Sequence, residues 1–190
     1  MALKTREKLI EVAKQLFIRN GVENTTIGDI ANASDKGRRT IYTYFKNKKE
    51  IYHAVIEQES DNMVAELREI AFSDASPADR LRNFFDKKLS QTRAVNSVYS
   101  SLKALLSIDG RRSELIRKKA YEKEEALLFY ILDEGVNHGD FDADKCRLMR
   151  GFVYRLIQGI DLLSIHEDNP MTDAAKITAF IDFMVLSVKK

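Results

Sequence analysis

Six basic side chains, Lys36, Arg38, Arg39, Lys46, Lys48 and Lys49, fall within one run of fourteen residues that contains no acid. Thr40, Tyr42, Thr43 and Tyr44 stand among them. That mixture suits a polyanion. A lysine ammonium neutralises a phosphate, an arginine fork matches two phosphate oxygens or guanine O6 and N7, and hydroxyls donate to the oxygens of a nucleic-acid backbone. A charge run by itself is most often a solvated surface, so the weight of the reading rests on the elements that carry it.

Those elements are two short helical patterns. Ile27, Ile30 and Ala31 mark one face of a helix ending near Ala33, and Thr26-x-x-Asp29 is a near relative of a capping box with a shorter acid than usual. Ser34 and Asp35 suit a turn. Gly37 can start a second helix through Arg38, Arg39, Thr40, Ile41, Tyr42 and Tyr44 to Phe45, with Ile41 and Phe45 facing inward. Two short helices around a tight joint predict a helix-turn-helix. First-turn side chains of its second helix reach deepest into a major groove, which assigns Arg38 and Arg39 to base edges. Lys36, Thr40, Tyr42, Tyr44 and Lys46 fall to the phosphate backbone. Thr26 and Lys48 begin the flanking helices, whose unpaired N–H groups and positive dipole ends attract phosphate. The expected partner is double-stranded operator DNA. With Lys36, Lys46 and Lys48 of two subunits each on a phosphate, log affinity falls with log salt at a slope of about −5.

Residues 5–60 resemble the DNA-binding domain of the TetR family of transcriptional regulators. The residues that carry the resemblance are Phe17, Gly21, Thr25-Thr26-Ile27, Asp29-Ile30-Ala31, Thr40-Ile41-Tyr42, Tyr44-Phe45, Lys46-Asn47-Lys48 and Glu50. The resemblance implies that Thr26 caps a helix and contacts phosphate, and that Thr40, Tyr42, Tyr44 and Lys48 meet the DNA backbone. It also implies that Arg38 and Arg39 read bases. The joint departs from the family's commonest pattern, Ala-Gly-Val-Ser-Lys-Gly-Thr, and has Ser34-Asp35-Lys36-Gly37-Arg38-Arg39-Thr40 instead. Asp35 stands where glycine is usual and must adopt its geometry, which aspartate tolerates better than most residues. Lys36 replaces an apolar residue, so its stem is expected to pack while its charge points outward.

The rest of the 190 residues must support this element. A hydrophobic fraction of 44% beside 32% charged residues describes a folded protein, and only eight glycines and two prolines leave long stretches open to helix. Residues 1–57 hold eleven Lys/Arg against seven Asp/Glu, and residues 58–190 hold twenty against twenty-two. The positive charge is therefore concentrated where the basic run lies. Cys146 is the only cysteine, which excludes an intrachain disulfide and a cysteine-based zinc site. No apolar leader and no stretch of about 18 apolar residues is present, so the expectation is a cytoplasmic protein with no membrane partner.

Apolar periodicity predicts an all-α fold of about nine helices. Thr5 to Asn20 form the first, stopped by Gly21, and the two helices of the joint follow. A connecting helix of about 47–72 precedes the break Ser73-Asp74-Ala75-Ser76-Pro77. Further patterns cover 77–94, 96–108, about 113–135, 143–166 and 172–188. The domain reading is 1–50 for the helix-turn-helix and 51–190 for a helical domain that binds ligand and dimerises.

By the resemblance, the last two helices pair with their twins, and Leu156, Gly159, Leu163, Phe180, Ile181 and Met184 are assigned to that homodimer interface. An inducer pocket for a small hydrophobic or aromatic molecule, of unknown identity, is assigned to Phe84, Phe85, Tyr99, Leu102, Phe129 and Phe152. Plain core packing is the competing account of each aromatic. No cofactor or metal is expected, because His53 and Glu57, four apart, lack a third ligand nearby. The competing functions are an all-helical enzyme and a protein-binding adaptor. The first lacks a phosphate loop, a metal-spaced cluster and a nucleophile motif. The second leaves the basic run without a use.

Overall fold

Helix boundaries fall where capping chemistry puts them. The computed structural model describes residues 2–89, 110–163 and 174–190, with the side chains at 2, 154, 156–163 and 174 outside that description. Eight helices run through the described residues. They are α1 (Ala2–Asn20), α2 (Ile27–Ser34), α3 (Arg38–Tyr44), α4 (Lys48–Ala71), α5 (77–89), α6 (Gly110–His138), α7 (Ala143–Leu163) and α8 (Ala174–Val188). The helix expected at 96–108 lies outside the described residues.

Gly21 ends α1 with φ of 81° and an N–H bonded to Phe17 O at 3.0 Å. Asn47 opens α4, its Oδ1 accepting the Glu50 N–H at 2.9 Å. Ser76 opens α5 in the same way, its Oγ accepting from Asp79 N at 3.2 Å, and Pro77 follows where no N–H is needed. Arg80 closes the α4–α5 corner by donating to Ala75 O at 2.7 Å and Ala71 O at 3.2 Å. At the end of α6, Gly139 takes φ of 85° while Asp140 N–H bonds Gly135 O and Gly139 N–H bonds Val136 O, a Schellman stop. Asp142 then caps α7, accepting from Asp144 N and Lys145 N at 3.0 Å each. The Lys145 N–H is the first cause that holds the Asp142 carboxyl below its usual range.

The chain forms two compact units. The first holds α1, α2, α3, α4 as far as Asp61 and the start of α6 as far as Arg117. Its core joins Leu9, Phe17, Ile30, Ile41, Ile51 and Tyr52, which explains why the first turns of α4 belong with the helix-turn-helix. His53 is buried there, its ring centroid 5.7 Å from that of Tyr52.

The second unit holds the remainder of α4 and α6 with α5, α7 and α8. Leu67, Leu81, Phe84, Leu128, Phe141 and Ile181 lie in its core. Phe141 covers Gly135 so closely that a Cβ built there would stand 2.0 Å from its ring. The chain's last residues are tied to the α6–α7 turn through Asp142 N–H to Val188 O at 2.9 Å and Lys145 Nζ to Lys189 O at 2.6 Å. Cys146 is buried, and desolvation raises its thiol pKa. No helix among the described residues is long and apolar enough to cross a membrane.

Candidate nucleic-acid interface

The short acid at position 29 closes the capping box. Thr26 Oγ1 accepts the Asp29 N–H at 3.1 Å, and Asp29 Oδ2 accepts the Thr26 N–H at 2.8 Å. The Thr26 hydroxyl also donates to Asp29 Oδ2 at 2.7 Å. The Thr26 N–H, then its hydroxyl, hold the Asp29 carboxyl below its usual range, and the charge of Arg38 acts in the same direction. With its proton on Asp29, the Thr26 hydroxyl has none to give a phosphate while the box is closed.

The joint after α2 is a left-handed aspartate. Asp35 takes φ of 56° and ψ of 44°, and the turn is closed by Asp35 N–H to Asn32 O at 3.2 Å and Lys36 N–H to Ala31 O at 3.0 Å. Gly37 then stands at the N-cap of α3 without a side-chain bond to offer. Ile41 and Phe45 turn inward, at 0% and 3% exposure. Phe45 is also covered by Arg6, whose guanidinium carbon lies 5.4 Å from the ring centroid. The opposite side presents Lys36, Arg38, Arg39, Tyr42, Thr43 and Lys46 as exposed residues, with Thr40 and Tyr44 half-buried between the two sides. Lys36 is thus on the surface, where its charge was expected.

Two of the expected DNA contacts also touch other parts of the chain, Arg38 while exposed and Lys48 while half-buried. Lys48 Nζ donates to Val22 O at 2.8 Å and to Glu23 O at 3.1 Å, so its ammonium ties the start of α4 to the loop before α2. Arg38 lies along α2, since a Cβ built on Gly28 would stand 2.6 Å from its Nη2. Neither arrangement is visible in residue types, because each depends on backbone brought in from elsewhere in the chain.

The other expected sites disperse. Phe84 and Phe85 are core residues in an edge-to-face pair with centroids 5.9 Å apart. Phe129 is half-buried, with the Arg150 guanidinium carbon 4.8 Å from its ring centroid. Phe152 is 68% exposed. Tyr99 and Leu102 lie outside the described residues, as do the side chains of Leu156, Gly159 and Leu163. On α8, Ile181 and Met184 are buried in the core of their own unit and Phe180 is half-buried against it. Among the described residues of α7 and α8, the large apolar side chains left outward are Leu148, Phe152, Phe183 and Leu186, at 64–68% exposure.

Sequence reasoning also missed a buried ion pair. Lys88 Nζ lies 2.9 Å from Glu124 Oε2, at 7% and 3% side-chain exposure, and Lys88 lies 5.3 Å from the Tyr121 ring centroid. A signal existed, since Lys88 continues the spacing of Leu81, Phe84 and Phe85, and Glu124 that of Ala120, Leu127 and Leu128.

A helix-turn-helix with a buried inner side and a basic, hydroxyl-rich outer side defines a DNA-binding transcriptional regulator. Residues 9–55 match the model of the tetR family of bacterial regulatory proteins. The transcriptional repressor KstR2 of Mycobacterium tuberculosis is 25% identical over 168 residues, which are 87% of this chain and 82% of that protein. The transcriptional regulator AcrR of Shigella flexneri is 35% identical over 80 residues, 42% of this chain and 36% of its own. A TetR transcription regulator from Haloarcula marismortui shares the fold with a TM-score of 0.80, at 12% identity over 98% of this chain and 99% of that one. Over residues 9–55, its DNA-binding domain, the chain is similar to the bacterial regulatory proteins of the tetR family.

Proposed function

We propose that this protein is a homodimeric repressor that occupies an operator and leaves it when a small hydrophobic or aromatic molecule binds the second unit. The observation that carries the reading is α3, with Ile41 buried on one side and Arg39 and Tyr42 exposed on the other. A seven-residue helix contacts too few base pairs alone, so two copies in successive major grooves, about 34 Å apart, are required. Arg39 is assigned to base edges, and Lys36, Thr40, Tyr42, Tyr44, Lys46 and Lys48 to phosphates. The apolar side chains Leu148, Phe152, Phe183 and Leu186 are assigned to the twin subunit. The names of relatives such as KstR2 support repression over activation. The ligand acts only through its preference between a groove-matched dimer and an unmatched one.

Selection of bound duplexes from a random pool, followed by a salt titration on the best site, tests the DNA reading. Lys48 gives two N–H groups to carbonyls and keeps its charge and a third N–H for a phosphate, so Lys36, Lys46 and Lys48 of each subunit are counted. The expected log–log slope is about −5. Lys48→Met should reduce its magnitude by about 2 for the dimer and also lower the melting temperature. A flat salt dependence would sink the phosphate assignment. For the ligand, a thermal-shift screen over hydrophobic and aromatic compounds should find at least one that both stabilises the protein and releases the selected duplex. Stabilisation by none would remove the inducer from the reading.

A further inference from the structure

Gly28 occupies the first turn of α2, a helix of eight residues. Glycine inside a helix costs about 1 kcal/mol relative to alanine, so its use in so short an element calls for a packing reason. First-turn positions are commonly open to solvent, yet Gly28 is buried. Its cover is the Arg38 side chain. A Cβ at position 28 would stand 2.6 Å from Nη2, 3.2 Å from Cζ and 3.3 Å from Nε, so the guanidinium lies against the bare Cα of Gly28. The neighbouring Asp29 carboxylate lies within the electrostatic reach of that guanidinium. The guanidinium therefore lies against α2, while the Arg38 side chain as a whole stays exposed.

We propose that Arg38 is a positioning residue, which fixes the rotation of α3 on α2 through its seat on Gly28 and leaves base reading to Arg39. This rests on the DNA-binding reading above. The need for such a link is local. The N-cap of α3 is a glycine with no side-chain bond, and the joint before it is a single left-handed turn. Arg39, one residue on, is exposed like Arg38 but is rotated by about 100° around the helix, off the Gly28 side. A positioning arginine beside a reading arginine also explains why two adjacent residues of one type need not serve one role.

The test uses the full chain and the duplex selected by the wild type. Arg38→Ala should keep the same base preferences and the same salt slope, while affinity for the best duplex falls about tenfold. Arg38→Lys keeps the charge but has no planar fork to lie on Gly28, so it should behave as Arg38→Ala does. Gly28→Ala should lower affinity by a similar factor in the wild type and cause no further loss in Arg38→Ala. Arg39→Ala should instead erase preference at particular base positions. Four results would each overturn the proposal. These are a changed base preference in Arg38→Ala, a shallower salt slope in Arg38→Ala that marks a phosphate contact, restored affinity in Arg38→Lys, and independent additive losses from Gly28→Ala and Arg38→Ala. If the wild type selects no duplex at all, the functional reading fails first, and the two failures are distinguishable.

Discussion

Asp35 bears the backbone strain of the joint. A left-handed φ of 56° places its Cβ near the following carbonyl, at a cost of about 1–2 kcal/mol that glycine would not incur. Replacing it with glycine relieves the clash but gives the unfolded chain more freedom. The net gain from Asp35→Gly should be about 1 kcal/mol, read as a higher urea midpoint at unchanged slope. Asp35→Val should lower the midpoint. At this scale the sequence was informative about types and silent about destinations. That Asp35 must be left-handed follows from its place between α2 and α3. That Lys48 ends on the Val22 and Glu23 carbonyls does not, because those acceptors lie 26 and 25 residues away. Arg38 illustrates the same limit, since the decisive fact about it is the missing side chain at Gly28.

Elements were more legible, because helix ends depend on neighbours in sequence. Asn47, Ser76 with Pro77, and Gly139 act at the boundaries their chemistry favours. The end of α6 ran three residues past the expected Gly135, since Val136 to His138 extend the helix beyond its apolar pattern to the Schellman stop. Gly135 has another task there, giving Phe141 a place against the helix. Gly135→Ala would drive a methyl into that ring, and the ring is fully buried. The expected destabilisation is about 1–3 kcal/mol, measured by thermal or urea unfolding, despite the better helix propensity of alanine. A variant as stable as the wild type would mean that Phe141 can move aside. What a single helix pattern does not reveal is which apolar side faces its own core. In α8, Ile181, Met184 and Val188 face inward and Phe183 and Leu186 do not. That choice is made by the packing partners, which sequence periodicity does not name.

For the whole molecule, Leu148, Phe152, Phe183 and Leu186 are a cost in water unless something covers them. If a twin covers them, Phe152→Glu combined with Leu186→Glu should give a monomer in sedimentation equilibrium. Both side chains are exposed in the folded chain, so helical content should be kept while operator affinity falls. A double variant that stays dimeric would place the interface elsewhere. The same apolar side chains carry a genetic consequence. In a cell making equal amounts of intact protein and an Arg39→Ala copy, random pairing leaves only about a quarter of dimers with two working reading helices. Such an allele should be dominant, derepressing a reporter even beside the intact gene. Adding Phe152→Glu and Leu186→Glu to the damaged copy should make it recessive, because a subunit that cannot pair cannot poison its partner.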